Sequence, residues 1–152
     1  MHPTRLIVRW LALVGMTFWL GGFTFYSAVV IPILHDEMGG LESGMITGQV
    51  SNALNAFGVA AIAVWWLLVA LEGALGGRGT RRLRLGLLAA TTAILVGLIA
   101  LHPAMDAQLD GGSMKSFRRL HLVYLNASTV QWGVNLALLA VSVVIWERRP
   151  AS

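Results

Sequence analysis

What most constrains this chain is where its charges are missing. No Asp, Glu, Lys or Arg falls between Trp10 and Leu34, Ser43 and Leu71, Leu85 and Leu101, or Leu122 and Trp146. Crossing a bilayer as a helix takes about 20 mostly apolar residues, with about 17 as the lower bound. All four runs meet that length. Hydrocarbon offers no water to backbone N–H and C=O groups, so helices and closed barrels are the structures that span it, and the runs carry no two-residue strand alternation. The expectation is an all-α, polytopic membrane protein, an up-down-up-down bundle with spans at about 8–34, 50–72, 83–101 and 117–146. Composition agrees, with 57% hydrophobic and 12% charged residues, where soluble domains carry roughly 25% charged. A single integral membrane domain over 1–152 accounts for the whole length. The first run exceeds the roughly 7 to 15 apolar residues of a signal peptide, which favours an uncleaved span.

The remaining charges divide by side. Arg5 and Arg9 precede the first span, Arg78, Arg81, Arg82 and Arg84 lie in or beside the 2–3 connection, and Arg148 and Arg149 follow the fourth span. These are eight of the eleven cationic residues, while five of the seven acids (Asp36, Glu37, Glu42, Asp106 and Asp110) fall on the opposite side. The positive-inside rule then places both termini in the cytoplasm, with a bacterial inner membrane as the expected location. A net charge of +4 would suggest nucleic acid in a soluble chain; beside four spans it reads as orientation, and no nucleic-acid partner is expected. Lys115, Arg118 and Arg119 break the pattern at the outer start of the fourth span. They either snorkel to headgroups and balance Asp106 and Asp110, or contact an anion or lipid phosphate.

Helices in lipid associate where small residues allow close approach. Gly86, Ala90, Ala93, Gly97 and Ala100 form such a seam in the third span, and Ala12, Gly15, Trp19, Gly22 and Tyr26 a mixed one in the first. The Gly76–Thr80 connection makes spans 2 and 3 antiparallel neighbours. In the fourth span His121, Tyr124, Ser128, Gln131 and Asn135 recur at three and four residues, with Ser142 beyond. Polar groups unpaired in hydrocarbon cost several kcal/mol, so this stripe should face inward. Gln49, Asn52 and Asn55 make a shorter row in the second span, and the two rows are expected to meet amide to amide. Glu72 is expected to pair with Arg81 or Arg82.

Pro103 disfavours helix at His102 and sets an expected boundary there. His35 ends the first charge-free run, His102 the third, and His121 sits one turn into the fourth. Three of four histidines, and Met38, Met45, Met105 and Met114 of the six methionines, thereby fall at one end. Imidazole with thioether suits copper, above all the cuprous ion, and imidazole with carboxylate suits zinc, nickel or cupric ion. His35, His102, Met105 and His121 are the candidate metal ligands; Asn52, Asn55, Asp106, Tyr124, Ser128 and Gln131 are the candidate polar pocket. Haem b is a further cofactor to consider, with His102 and His121 as axial ligands. The other reading of the same residues is packing: polar glue and gap-filling methionine. No Gly-x-Ser-x-Gly, His-Glu-x-x-His, phosphate loop or paired carboxylate lies within a span, so no catalytic residue is named. No span carries a mid-depth acid or base of the kind proton and ion pathways use. With no cysteine, disulfides and thiolate sites are excluded.

The stretches "WLGGFTFYSAVVIPIL", "TGQVSNALNAFG" and "HPAMDAQLD…FRRLHLVYLNASTVQW" resemble the small four-helix membrane proteins that share the transmembrane-protein-205-like domain of unknown function. The resemblance covers about Trp10 to Trp146, and the Leu-His-x-x-Tyr-x-x-x-Ser pattern is its more distinctive part. It implies a four-helix integral membrane protein with no established activity, and family-like positions at Gly21, Gly22, Pro32, Asn55, His102, Asp106, His121 and Tyr124. More distantly, the bundle and its outer His/Met residues are similar to the membrane domain of copper-resistance protein D, linked with copper uptake. Trp-Leu-Gly-Gly-Phe-x-Phe-Tyr also resembles the haem-containing protoporphyrinogen oxidases, whose pattern has an arginine where this chain has Ile33. Three expectations follow: a metal- or copper-handling pocket protein, a structural or assembly subunit that forms a homo-oligomer or joins a membrane complex, and a haem-binding redox protein. The lipid bilayer is a partner in all three.

Overall fold

The computed structural model describes residues 3–38, 40–73, 77–109 and 113–147. Helix α1 (Pro3–Phe25) passes through a π-helical turn (Tyr26–Val30) into α2 (Ile31–Met38). Helices α3 (Gly40–Glu72), α4 (Arg78–Leu109) and α5 (Met114–Glu147) follow. Asp110, Arg148 and Arg149 lie outside the described residues, as does the Glu42 side chain. Four segments are long and apolar enough to cross a membrane: Pro3–Met38, Gly44–Glu72, Arg78–Gln108 and Met114–Glu147. The chain is an all-α four-helix bundle and an integral membrane protein. The α1–α2 rod packs on α3, α3 on α4 and α4 on α5, and α1 meets α5 to close the ring.

Each span runs longer than its charge-free core, because helices extend into the headgroup zone. Two departures have local causes. Pro32 has no N–H, and its ring would press on the Ala28 carbonyl. Widening the preceding turn relieves that clash: the Ile31 N–H bonds back to the Tyr26 carbonyl, five residues away. The rod stays continuous, and His35 lies in the last turn of α2. Pro103 does not end the third span either; α4 continues through it to Leu109. Tertiary contacts outweigh the local preference there, since His102 and Met105 on either side are both buried. At the other end, α3 stops where Gly73 takes φ of 58°, a left-handed cap that returns the Gly73 N–H to the Val69 carbonyl at 3.2 Å.

The core is built by close approach. Ala12, Met16, Trp19 and Leu20 of α1 pack with Ala61, Ile62, Trp65 and Leu68 of α3, and Leu88, Leu95 and Leu138 complete the cluster. Gly58 is required where it stands, because a Cβ there would lie 2.4 Å from the Trp19 indole. The first-span seam therefore faces inward, with Gly15 against Ala61 and Gly22 against Leu54. The third-span seam does the reverse: Gly86, Ala90, Ala93, Gly97 and Ala100 are all exposed, with open space beside Gly86 and Gly97. Leu88, Thr91, Leu95 and Leu98 form the buried face of α4 instead. Larger side chains fill the interior, and the small residues turn toward the surrounding lipid.

At the arginine-rich end one carboxylate ties the bundle together. Glu72 is buried and meets Arg9 of α1, Arg84 of α4 and the Trp146 indole of α5, not Arg81 or Arg82, which are exposed. The Arg9 Nε donates at 2.5 Å and the Trp146 indole N–H at 2.9 Å to the same oxygen. Both guanidiniums also lie over indole faces, Arg9 at 4.9 Å from the Trp146 centroid and Arg84 at 5.6 Å from that of Trp65. Arg84 sits two residues past the Arg81–Arg82 pair and on the inward face. The same side chain on that face reaches what its exposed neighbours cannot.

Candidate functional site

The polar stripe of α5 faces the bundle axis, as a helix in lipid requires. Tyr124, Ser128, Gln131, Asn135 and Ser142 are all buried. Deepest along it, the Thr91 hydroxyl of α4 bonds the Asn135 side-chain oxygen at 2.5 Å, and the Gln131 amide donates to the Thr91 carbonyl at 3.2 Å. Nearer the histidine end, the Asn55 amide of α3 donates to the Tyr124 hydroxyl at 3.3 Å. The α3 and α5 rows do meet, but through this amide–phenol contact rather than amide to amide. Gln131 turns to α4, where the Thr91 carbonyl accepts its amide through a second lone pair. Gln49 and Asn52 are exposed on α3, so of that row Asn55 alone enters the interior.

Between these side chains is a cavity of about 20 Å³, measured as space open to the centre of a water molecule. That holds about one water. Ser51, Asn55, Tyr124, Ser128, Gln131 and Asn135 supply its polar wall, and Trp19, Phe23, Leu98 and Trp132 are among its apolar side. One buried hydroxyl on the cavity wall, that of Ser128, has no hydrogen-bond partner. The buried Tyr26 hydroxyl has Thr47 and Ser51 as side-chain hydrogen-bonding neighbours. The contrast with the threonines is informative. Thr24, Thr92 and Thr129 return their hydroxyls to the carbonyl four residues back, the local solution a helix offers in lipid. Ser128 could do the same and instead stands free beside the cavity.

His102 lies at the outer edge of this column. Its ring is buried, packs edge-on to Tyr124 at 6.2 Å, and faces Asp106 with Nδ1 3.3 Å from Oδ2. An ionised carboxylate only accepts, so the pair places the ring proton on Nδ1. Met105 is buried with Leu98 and Tyr124. The other two expected ligands go elsewhere. His35 is exposed on α2, and His121 is exposed on α5 with its ring stacked on Phe117 at 5.8 Å. Helical side chains lean toward the N-terminus of their helix, and here that carries the imidazole onto Phe117 rather than toward His102. Among the described residues no group of three or more His, Asp or Glu side chains could hold a metal ion. Lys115, Arg118 and Arg119 are exposed, and none makes an ion pair among the described residues.

The structure thus brings Asn55, His102, Met105, Asp106, Tyr124, Ser128 and Gln131 into one column and leaves His35, Asn52 and His121 outside it. Thr91, Ser51 and the cavity-side role of Trp132 were not foreseen. Thr91 carries a detectable signal, falling in register with Leu88, Leu95 and Leu98 on one face of α4. No known protein family matches the chain, and neither does any curated protein or solved structure. Its function is therefore read from this geometry. No charged side chain lines the cavity, so the arrangement can orient a neutral polar group by hydrogen bonds.

Proposed function

We propose that this is a membrane-embedded binding protein that holds a small uncharged polar group in the cavity beside Asn55, Tyr124 and Ser128. One observation carries the reading: the buried Ser128 hydroxyl stands without a partner on the wall of the cavity, within a membrane-spanning helix. An unmet polar group there costs several kcal/mol, and an occupant that bonds it recovers the cost. With the arginine-rich end in the cytoplasm by the positive-inside rule, the cavity belongs to the outer half of a bacterial inner membrane. Kinship with the transmembrane-protein-205-like proteins is part of the same proposal and rests on the stretches quoted above. The test is mass spectrometry of small molecules extracted from the purified protein and from Ser128→Leu, whose side chain fills the cavity. A species enriched several-fold with the wild type supports the reading; identical extracts overturn it.

Copper handling is a second reading, narrowed to His102 and Met105. Asp106 orients the His102 imidazole in the manner of an outer-shell carboxylate on a metal-binding histidine, and Met105 is buried one turn away. Cuprous titration under reducing conditions should then separate wild type from His102→Ala, and equal binding removes it. Haem fits poorly, because His121 faces outward and the cavity holds about one water. Assembly into an oligomer or complex is favoured by the outward row from Gly86 to Ala100. Gly97→Leu should then shift the detergent-solubilised protein to a smaller species, and an unchanged size counts against it.

A further inference from the structure

The cavity has a second compartment behind one of its walls. Phe23 and Trp132 line the inner cavity and also a groove of about 270 Å³ between α1 and α5, completed by Thr24, Ser27, Ala28 and Thr129. That seam is the least packed of the four helix–helix contacts in the ring. Its one side-chain hydrogen bond among the described residues runs from the Trp132 indole N–H to the Thr24 hydroxyl at 3.0 Å, and it is exposed. Ser27 and Ala28 belong to the π-helical turn, a backbone feature common at functional sites. A groove facing apolar surroundings, a polar chamber behind it and a two-residue wall between them form a side entrance.

We propose that this seam is a lateral portal through which a lipid-soluble molecule enters from the bilayer, its chain in the groove and its head in the polar cavity. The inference rests on the binding reading above and adds the route and the ligand class. The head is uncharged, an alcohol or carbonyl, because no ionised side chain lines either compartment to offset a charge in hydrocarbon. The inner cavity holds about one water, so entry of a larger head requires the Trp132 and Phe23 side chains to swing aside. The Trp132–Thr24 bond is the latch.

The test uses the full-length protein in phosphatidylcholine nanodiscs and a long-chain primary alcohol with a photoreactive diazirine beside the hydroxyl. Cross-links are mapped by mass spectrometry, with unlabelled alcohol or the carboxylate of equal length as competitor. Ala28→Trp fills the groove from an exposed position, and Thr24→Val removes the latch. The expected result is labelling of the Asn55 and Ser128 peptides that alcohol suppresses and carboxylate does not, lowered several-fold by Ala28→Trp and raised by Thr24→Val. Interior labelling unchanged in Ala28→Trp overturns the portal while leaving the binding reading intact. Labelling confined to the groove, insensitive to competitor, is ordinary lipid contact and overturns both. Equal competition by the carboxylate overturns the uncharged head.

Discussion

The two ends of this bundle bury polar groups in opposite ways. At the arginine-rich end the buried groups are charged and paired: two guanidiniums and an indole converge on the Glu72 carboxylate, and tryptophan rings cover the cations, while Arg84 Nε and Nη2 keep no hydrogen-bond partner. Toward the histidine end, the cavity-lining groups are neutral and sparsely bonded, and Ser128 keeps an unpartnered hydroxyl. Both regions draw on α1, α3, α4 and α5, so the contrast is not one of location in the ring. A buried ion cluster holds helices in one arrangement because any displacement strands a charge. A half-satisfied neutral column leaves room for an occupant. The first end is where the fold is fastened, and the second is where it can take something in.

The largest effect should come from the fastened end. Glu72→Ala leaves Arg9 and Arg84 facing each other without an anion, and removing one partner of a buried pair costs about 3–5 kcal/mol. Reversible unfolding in mixed micelles measures it, and a loss below the size of an ordinary surface substitution would erase the contrast. Next in size is Gly58→Val, which drives a side chain into the Trp19 indole at the boundary between the two regions. Overpacking of this kind costs about 1–3 kcal/mol, and the same assay should show it. A neutral Gly58 variant would mean that Trp19 moves freely, which would extend the loose region toward the arginine-rich end.

The bundle was legible because hydrocarbon permits few backbones, so length and charge-free runs leave little choice. The inward stripe from Tyr124 to Ser142 was legible for a related reason: polar side chains stand out against Leu and Val, and their spacing names a face. Where sequence reasoning failed, two forces of similar size competed. Pro103 has a strong local preference, yet burial of His102 and Met105 kept α4 intact. The row from Gly86 to Ala100 has the composition of a contact face, but the opposite face of α4 carries the leucines that fill the core. Arg84 and Arg9 looked like flanking cations because charge alone does not reveal which member of an arginine run turns inward. His121 shares the stripe's spacing, yet lies near the start of α5, where a polar ring can remain outside at little cost. The site was half legible: its polar wall on α5 and Asn55 could be read, while the cavity and the unpartnered Ser128 hydroxyl depend on packing that no spacing encodes.

The smallest effects lie within the polar column itself and sharpen the comparison because they differ in sign. Thr91→Val removes the donor to the Asn135 side-chain oxygen and leaves that oxygen buried. Side-chain hydrogen bonds between helices in membranes average about 0.6 kcal/mol with a maximum near 1.7, so a modest destabilisation is expected. Ser128→Ala deletes a hydroxyl that bonds nothing, so the unfolding free energy should stay level or rise slightly. Extraction of the bound molecule should nonetheless fall, since the hydroxyl is one of the groups offered to it. If Ser128→Ala destabilises as much as Thr91→Val, the hydroxyl is already bonded in the resting protein, by an ordered water or its own helix. The column would then hold no unpartnered hydroxyl on the cavity wall, and the case for an occupant would fail with it.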